Sequence, residues 1–202
     1  MKRILFFIFP AILSCSSLVN LSGFSKDQLI NNPKSAGYLE IINKCRIKGE
    51  SQQSYGTSAS FDIYIITSDD DIDDLYAETV YPEKGDWYQV VKDKNTHSKT
   101  KIESYGFKMG KNYDYRYFVL KPGVYSIYAV GPLTKYWGNQ GVLESKNIKA
   151  LDEKIKKIII EPGQTTTVVL SLKEDTADVI NNIYKRKNTI YDINKKELVQ
   201  LN

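Results

Sequence analysis

From Tyr38 onward, apolar and polar residues alternate with a period of two, the spacing of a strand that buries one face. In FDIYIIT, Phe61, Ile63 and Ile65 fall on one face, and Asp62, Tyr64 and Ile66 on the other. GYLEIINKCRI, DWYQVV and KIESYGFKM are further predicted strands, separated by polar stretches such as KGESQQSYGTS and KDKNTHSKT. The pattern is clearest from 113 to 172. Tyr113, Tyr115, Tyr117 and Val119 share a face ahead of Lys121-Pro122-Gly123; beyond it, Val124, Ser126, Tyr128 and Val130 alternate with Tyr125, Ile127 and Ala129. EKIKKIIIEPGQTTTVVLSL repeats the arrangement about Pro162-Gly163, and Thr166, Val168, Leu170 and Leu172 form its more apolar face. In both units the proline fixes φ and the glycine is free to take a positive one, which predicts a tight reversal.

Two strand–Pro-Gly–strand units, with no strong helical period between them, predict a mainly β fold: an antiparallel β-sandwich of about seven or eight strands. After Leu172 the texture changes. KEDTADVINNIYKRKN sets Ala177, Ile180, Ile183 and Tyr184 at near-helical spacing, with Asp175 or Thr176 to cap the start and Lys185, Arg186 and Lys187 to suit the end. A short C-terminal helix is therefore expected. TIYDINKKELVQLN, beyond it, reads as a terminal hairpin about Asn194-Lys195-Lys196 or as a frayed tail. The segments VLKPGVYSIYAV and KIIIEPGQTTTVVLSL resemble the small β-sandwich modules of bacterial surface proteins, of the prealbumin-like or carboxypeptidase-regulatory kind. That resemblance implies a fold and no particular activity.

The N-terminal residues follow a different rule. Lys2 and Arg3 precede ten uncharged residues, Ile4 to Leu13, interrupted by Pro10. A membrane-crossing helix needs about 20 apolar residues, so this run reads as the core of a secretory signal peptide ending at the small Ser14. Ile12-Leu13-Ser14-Cys15 resembles the lipobox of bacterial lipoproteins, although Leu13 is bulkier than the residue usual there. The resemblance implies cleavage before Cys15, a diacylglyceryl group on its sulfur, and acylation (palmitate, for example) of the new amino group. Two or more chains on one residue give stable anchoring, where one is marginal. In lipoproteins of double-membrane bacteria, Asp after the cysteine marks inner-membrane retention; Ser16 and Ser17 stand there instead, which implies the outer membrane. The expected organisation is a signal peptide over 1–14, a lipidated tether over 15–36, a β-sandwich over 37–172, and a C-terminal helix and tail over 173–202. Within the tether, KDQLINN can form one helical turn.

Charge narrows the partners. Loss of Lys2 and Arg3 with the signal peptide leaves 26 of the 28 basic residues against 24 acidic ones. So weak a balance argues against nucleic acid, which calls for clustered Lys and Arg. Candidate chemistry is sparse. Asp69, Asp71 and Asp73 imitate the start of a calcium loop, but Asp74 stands where such a loop needs glycine and Val80 where it needs glutamate. Calcium is thus a minor expectation, beside a solvated acidic loop. The single histidine, His97, sits in a polar loop and cannot by itself build a zinc site or a triad. Cys45 lies in a predicted strand as a buried or half-buried thiol. Trp87-Tyr88 and Tyr136-Trp137 fall near predicted loops, where aromatic side chains stack on sugars or fill partner pockets; plugging the sandwich is the plainer role.

The sequence thus points to a lipid-anchored, non-enzymatic envelope protein whose sandwich binds a protein, glycan or cell-wall component. An envelope hydrolase with a carboxylate pair and a structural subunit of a membrane-bound complex are the alternatives.

Overall fold

The structure, a computed structural model, describes residues 18–47, 55–59, 61–67, 72–80, 83, 88–94, 104–106, 114–137, 146–173 and 175–201. The strands in chain order are β1 (Leu18–Asn20), β2 (Gly37–Lys44), β3 (Arg46–Ile47), β4 (Tyr55–Ala59), β5 (Asp62–Thr67), β6 (Leu75–Val80), β7 (Tyr88–Asp93) and β8 (Ser104–Gly106). They continue with β9 (Asp114–Leu120), β10 (Gly123–Trp137), β11 (Lys146–Ile160), β12 (Thr165–Leu172), β13 (Val179–Arg186), β14 (Thr189–Asp192) and β15 (Glu197–Gln200). Among the described residues one α-helix, α1 (Lys26–Asn31), starts at a capping box between Ser25 and Gln28.

A five-stranded sheet runs β1-β9-β2-β12-β13, and a six-stranded one runs β3-β4-β10-β5-β8 with β11 also paired to β10. Their facing sides meet in one core, with Leu39, Ile41, Phe118, Leu120, Val168 and Leu170 from the first sheet and Phe61, Ile63, Ile127, Ala129, Ile155 and Ile158 from the second. The outer face of the six-stranded sheet is covered by the β6–β7 ribbon, which packs Leu75 and Val91 on Tyr128 and Val130. The outer face of the five-stranded sheet is covered at one end by α1 and the β14–β15 hairpin, which pack Leu29, Ile190 and Tyr191 on Tyr38 and Val119.

The Pro-Gly units are not hairpins. β9 and β10 flank Lys121-Pro122 yet belong to different sheets, as do β11 and β12 about Pro162-Gly163. Each is a corner at which the chain crosses the core. Gly163 takes φ +66 there, and its N–H bonds Ala36 O at 2.8 Å. Strand β11 departs from simple alternation just ahead of the triple isoleucine run. A bulge between Ile155 and Ile158 sets Lys157 at φ 58 and turns Ile155, Ile158 and Ile160 all inward.

Two expectations are corrected. The sandwich is not wholly antiparallel, because β1 pairs parallel to β9 and β12 parallel to β2. The short C-terminal helix is absent, since residues 179–186 form strand β13 along the margin of β12. Val179, Ile180 and Ile183 are β-branched and Asn181-Asn182 are poor helix formers, so an available row of β12 hydrogen-bonding groups decides the outcome. Ala177, at φ 54, closes the preceding turn through bonds from Ala177 N to Lys173 O and from Lys173 N to Asp178 O. After it the terminal hairpin forms, its turn held by Asp192 Oδ1 accepting from Asn194 N and Lys195 N.

Candidate functional surface

Alternation places Tyr38, Glu40, Ile42, Tyr115, Tyr117, Thr165, Thr167, Val169, Ile180, Asn182, Tyr184 and Arg186 on the outer face of the five-stranded sheet. One transverse row is Tyr117–Glu40–Thr167–Tyr184 and the next is Tyr115–Ile42–Val169–Asn182. Glu40 is 3% exposed, and its carboxylate is not left alone. Thr167 Oγ1 donates to Glu40 Oε2 at 2.8 Å, and Arg186 Nη2 lies 3.2 Å from the same oxygen. Tyr117 also bonds Glu40; burial, and then the neighbouring carboxylate, push its hydroxyl well above the ordinary tyrosine range. The Tyr117 ring in turn meets that of Tyr191 at 4.7 Å. This network fixes Arg186 at the boundary between two halves of the face.

On the hairpin side of that boundary the face is covered. On the other side Tyr115, Ile180 and Tyr184 stand 44%, 43% and 54% exposed. Ile183, on the opposite face of β13 beside the core residue Val168, is also 44% exposed, at the sheet's margin. Lys185, Arg186 and Lys187 follow directly, with Lys185 paired to Glu161 at 3.0 Å. Ile180 and Tyr184 thus form a shallow apolar strip with a basic end, carried on a strand that ends its sheet among the described residues, while Tyr115 stands apart on β9.

The residues singled out from sequence fall elsewhere. Cys15, Asp69, Asp71, Trp87 and His97 lie outside the described residues. Asp73 is exposed in a short 3-10 turn, where Lys156 pairs with its carboxylate and lowers its pKa. Lys94 and Lys154 donate to its backbone carbonyl, so lysines surround it. Tyr136 and Trp137 are not on a loop: they end β10, opposite Gly56 and Tyr55 of β4. Tyr88 begins β7, opposite Val80 in the separate ribbon, so it lies on a different sheet from Tyr136 and Trp137. Cys45 is fully buried, and burial followed by the charge of Glu153 pushes its thiol up to about 12. It is a packed thiol and no nucleophile. The β13 strip escaped the sequence reading because its apolar residues were assigned to a helix face; the signal available was the run of β-branched residues.

No family model matches the chain, and no curated protein sequence matches it. Among solved structures, the fold is similar to a fimbrial protein from Bacteroides vulgatus, with a TM-score of 0.38 and 9% identity over 76% of this chain and 55% of that one. It is also similar to a candidate cell adhesion protein from Bacteroides ovatus, with a TM-score of 0.34 and 5% identity over 78% of this chain and 47% of that one. The chain spans about half the length of each of these two structures.

Proposed function

We propose that the chain is a lipid-anchored, non-enzymatic bacterial envelope protein, at the outer membrane of its cell, whose β-rich body binds a protein partner through β13. The lipobox-like Ile12-Leu13-Ser14-Cys15 supports the anchor. The observation that carries the binding role is the exposure of Ile180, Ile183 and Tyr184 on the terminal strand of a sheet. Sheet margins normally carry charge, proline or a cover, because a bare one recruits another strand. Large apolar side chains at such a margin suit an extended segment that adds to the sheet and seats alternate residues on the strip. Tyrosine is among the residues that dominate contact energy. The cations of 185–187 favour acidic residues at the matching end of the partner.

A photo-crosslinking residue placed at Tyr184 in living cells tests this. It is expected to give one discrete adduct, identified by mass spectrometry and abolished by Ile180→Asp on the same face, while the same residue at exposed Lys121 gives none. No adduct at 184, or adducts indifferent to Ile180→Asp, overturns the binding role. Cys15→Ser should release the protein from the membrane fraction; retention there overturns the anchor.

A further inference from the structure

The stretch that follows Cys15 is fixed in the fold almost at once. Leu18 packs with the cluster under the terminal hairpin, while Val19 packs with the core between the sheets. Their neighbour Asn20 holds the next turn, its Oδ1 accepting from Ser22 and its Nδ2 donating to Phe24 O at 2.7 Å. Leu21 N then bonds Val119 O at 2.8 Å. β1 is therefore held on two faces and along its paired edge. Only Ser16 and Ser17 separate it from Cys15. Three peptide steps span at most about 11 Å, so Cys15 can lie no farther than that from Leu18.

We propose that the folded body is held directly against the lipid headgroups by its β1 margin, with β13 on the side turned away. This rests on the reading that Cys15 is acylated. The sheet order puts four strand spacings, about 19 Å, between β1 and β13. β1 pairs in parallel with β9 from Tyr117 toward Val119, so the chain enters from the end of β9 that carries Asp114 and Tyr115. The chemistry of that corner suits a headgroup layer. Tyr115 is 44% exposed there, and a tyrosine with an apolar ring and a polar tip favours the membrane–water boundary. Lys44 and Arg46, both exposed, follow Asn43, which pairs with Asp114 at the same end; such cations are drawn to anionic lipid. A short leash also explains why a binding strip on the opposite margin would be free to meet a partner.

The test uses the full lipidated protein in phosphatidylcholine–phosphatidylglycerol vesicles that carry a nickel-chelating headgroup lipid. A nitroxide is attached at Tyr115→Cys or at Asn182→Cys, two exposed positions in one transverse row, three strand spacings or about 14 Å apart. Buried Cys45 stays unlabelled. Relaxation by nickel is expected to be several-fold stronger at 115 than at 182. Inserting twelve Gly/Ser residues between Ser17 and Leu18 should abolish the difference. Equal or reversed relaxation, in protein whose acyl mass on Cys15 is verified, overturns the orientation while leaving the anchor standing. Persistence of the difference with the insert overturns the leash as its cause. An unmodified Cys15 overturns the anchor, and the orientation with it.

Discussion

Arg186, near the end of β13, sits 3.2 Å from the carboxylate of Glu40 on β2, across the intervening strand β12. Glu40 is buried and its partner is half-exposed, so the two ends of the pair are not equivalent. Arg186→Ala leaves a buried carboxylate with Thr167 and Tyr117 as its remaining donors. It is expected to cost about 1–2 kcal/mol, below the 3–5 of a fully buried pair because water reaches the arginine side. Glu40→Gln in the same chain should recover part of that loss, since a neutral amide needs no counter-charge. Urea unfolding of both single variants and the double variant checks the coupling. Purely additive effects would show that the two side chains do not interact.

Gly37, the first residue of β2, lies under the Pro162 corner so tightly that a Cβ there would fall 2.2 Å from Ile160 Cγ2 and 3.0 Å from Glu161 O. The second contact is backbone and cannot swing away. Gly37→Ala should therefore destabilise by about 1–3 kcal/mol through overpacking. Gly23, with φ +76 and no atom within 4 Å, tests the other penalty, that of conformation alone; alanine there costs about 1–2 kcal/mol. Ile160→Leu, which lacks the Cγ2 methyl, should restore part of the loss in the Gly37→Ala background, whereas it should do nothing for Gly23→Ala. Thermal unfolding midpoints decide between them.

The buried acids of this fold make it sensitive to alkali. Cys45 rises from 9.0 to about 12 and Tyr38 from 10.0 to about 12, both through burial. A group whose folded pKa is raised keeps its proton in the native state after the unfolded chain has lost it. Stability is therefore complete below pH 9, falls once the unfolded thiol ionises, and falls further above pH 10 as tyrosine joins. Each such group contributes a slope of at most about 1.4 kcal/mol per pH unit within its window. The urea midpoint should be level from pH 7 to 8.5 and drop by pH 10.5, and Cys45→Ala should delay the onset toward pH 10. A midpoint unchanged at pH 10.5 would contradict the burial of both groups.

The strands were legible in the sequence where one residue in two is apolar, as at Phe61-Ile63 and Val168-Leu170-Leu172. Their partners were not. Pro122 and Pro162 fix a local φ, and a local φ does not say whether the next strand returns to its own sheet or crosses to the other one. That choice rests on Phe118 and Ile127 sharing one core, a long-range fact. At the C-terminus Ile180, Ile183 and Tyr184 satisfy a helical spacing, whereas a strand puts only Ile180 and Tyr184 on one face, and the unfilled margin of β12 selects the strand. The surface was harder still, because exposure depends on what covers a face. Tyr117 and Tyr115 are two residues apart on one strand face, yet Tyr191 lies over the first while the second stands 44% exposed.

The hairpin that makes this difference is itself testable. β14 and β15 bring Ile190 and Tyr191, 5% and 2% exposed, onto Tyr38 and Val119. Thr165 Oγ1 donates to Thr189 O at 2.7 Å, which fixes where the hairpin begins. Ending the chain after Arg186 removes those two side chains and uncovers the apolar side chains beneath them. Each fully buried large apolar side chain contributes about 1.5–3 kcal/mol, so the loss should exceed about 3 kcal/mol. The shortened chain should unfold at a lower urea concentration and bind a hydrophobic dye before it unfolds. Tyr191→Ala should give the same dye signal in weaker form, because it opens one part of the face and leaves the Thr165–Thr189 bond in place. If truncation left both the midpoint and the dye signal unchanged, the hairpin would not be packed on the sheet, and the boundary of the β13 strip would have to be drawn elsewhere.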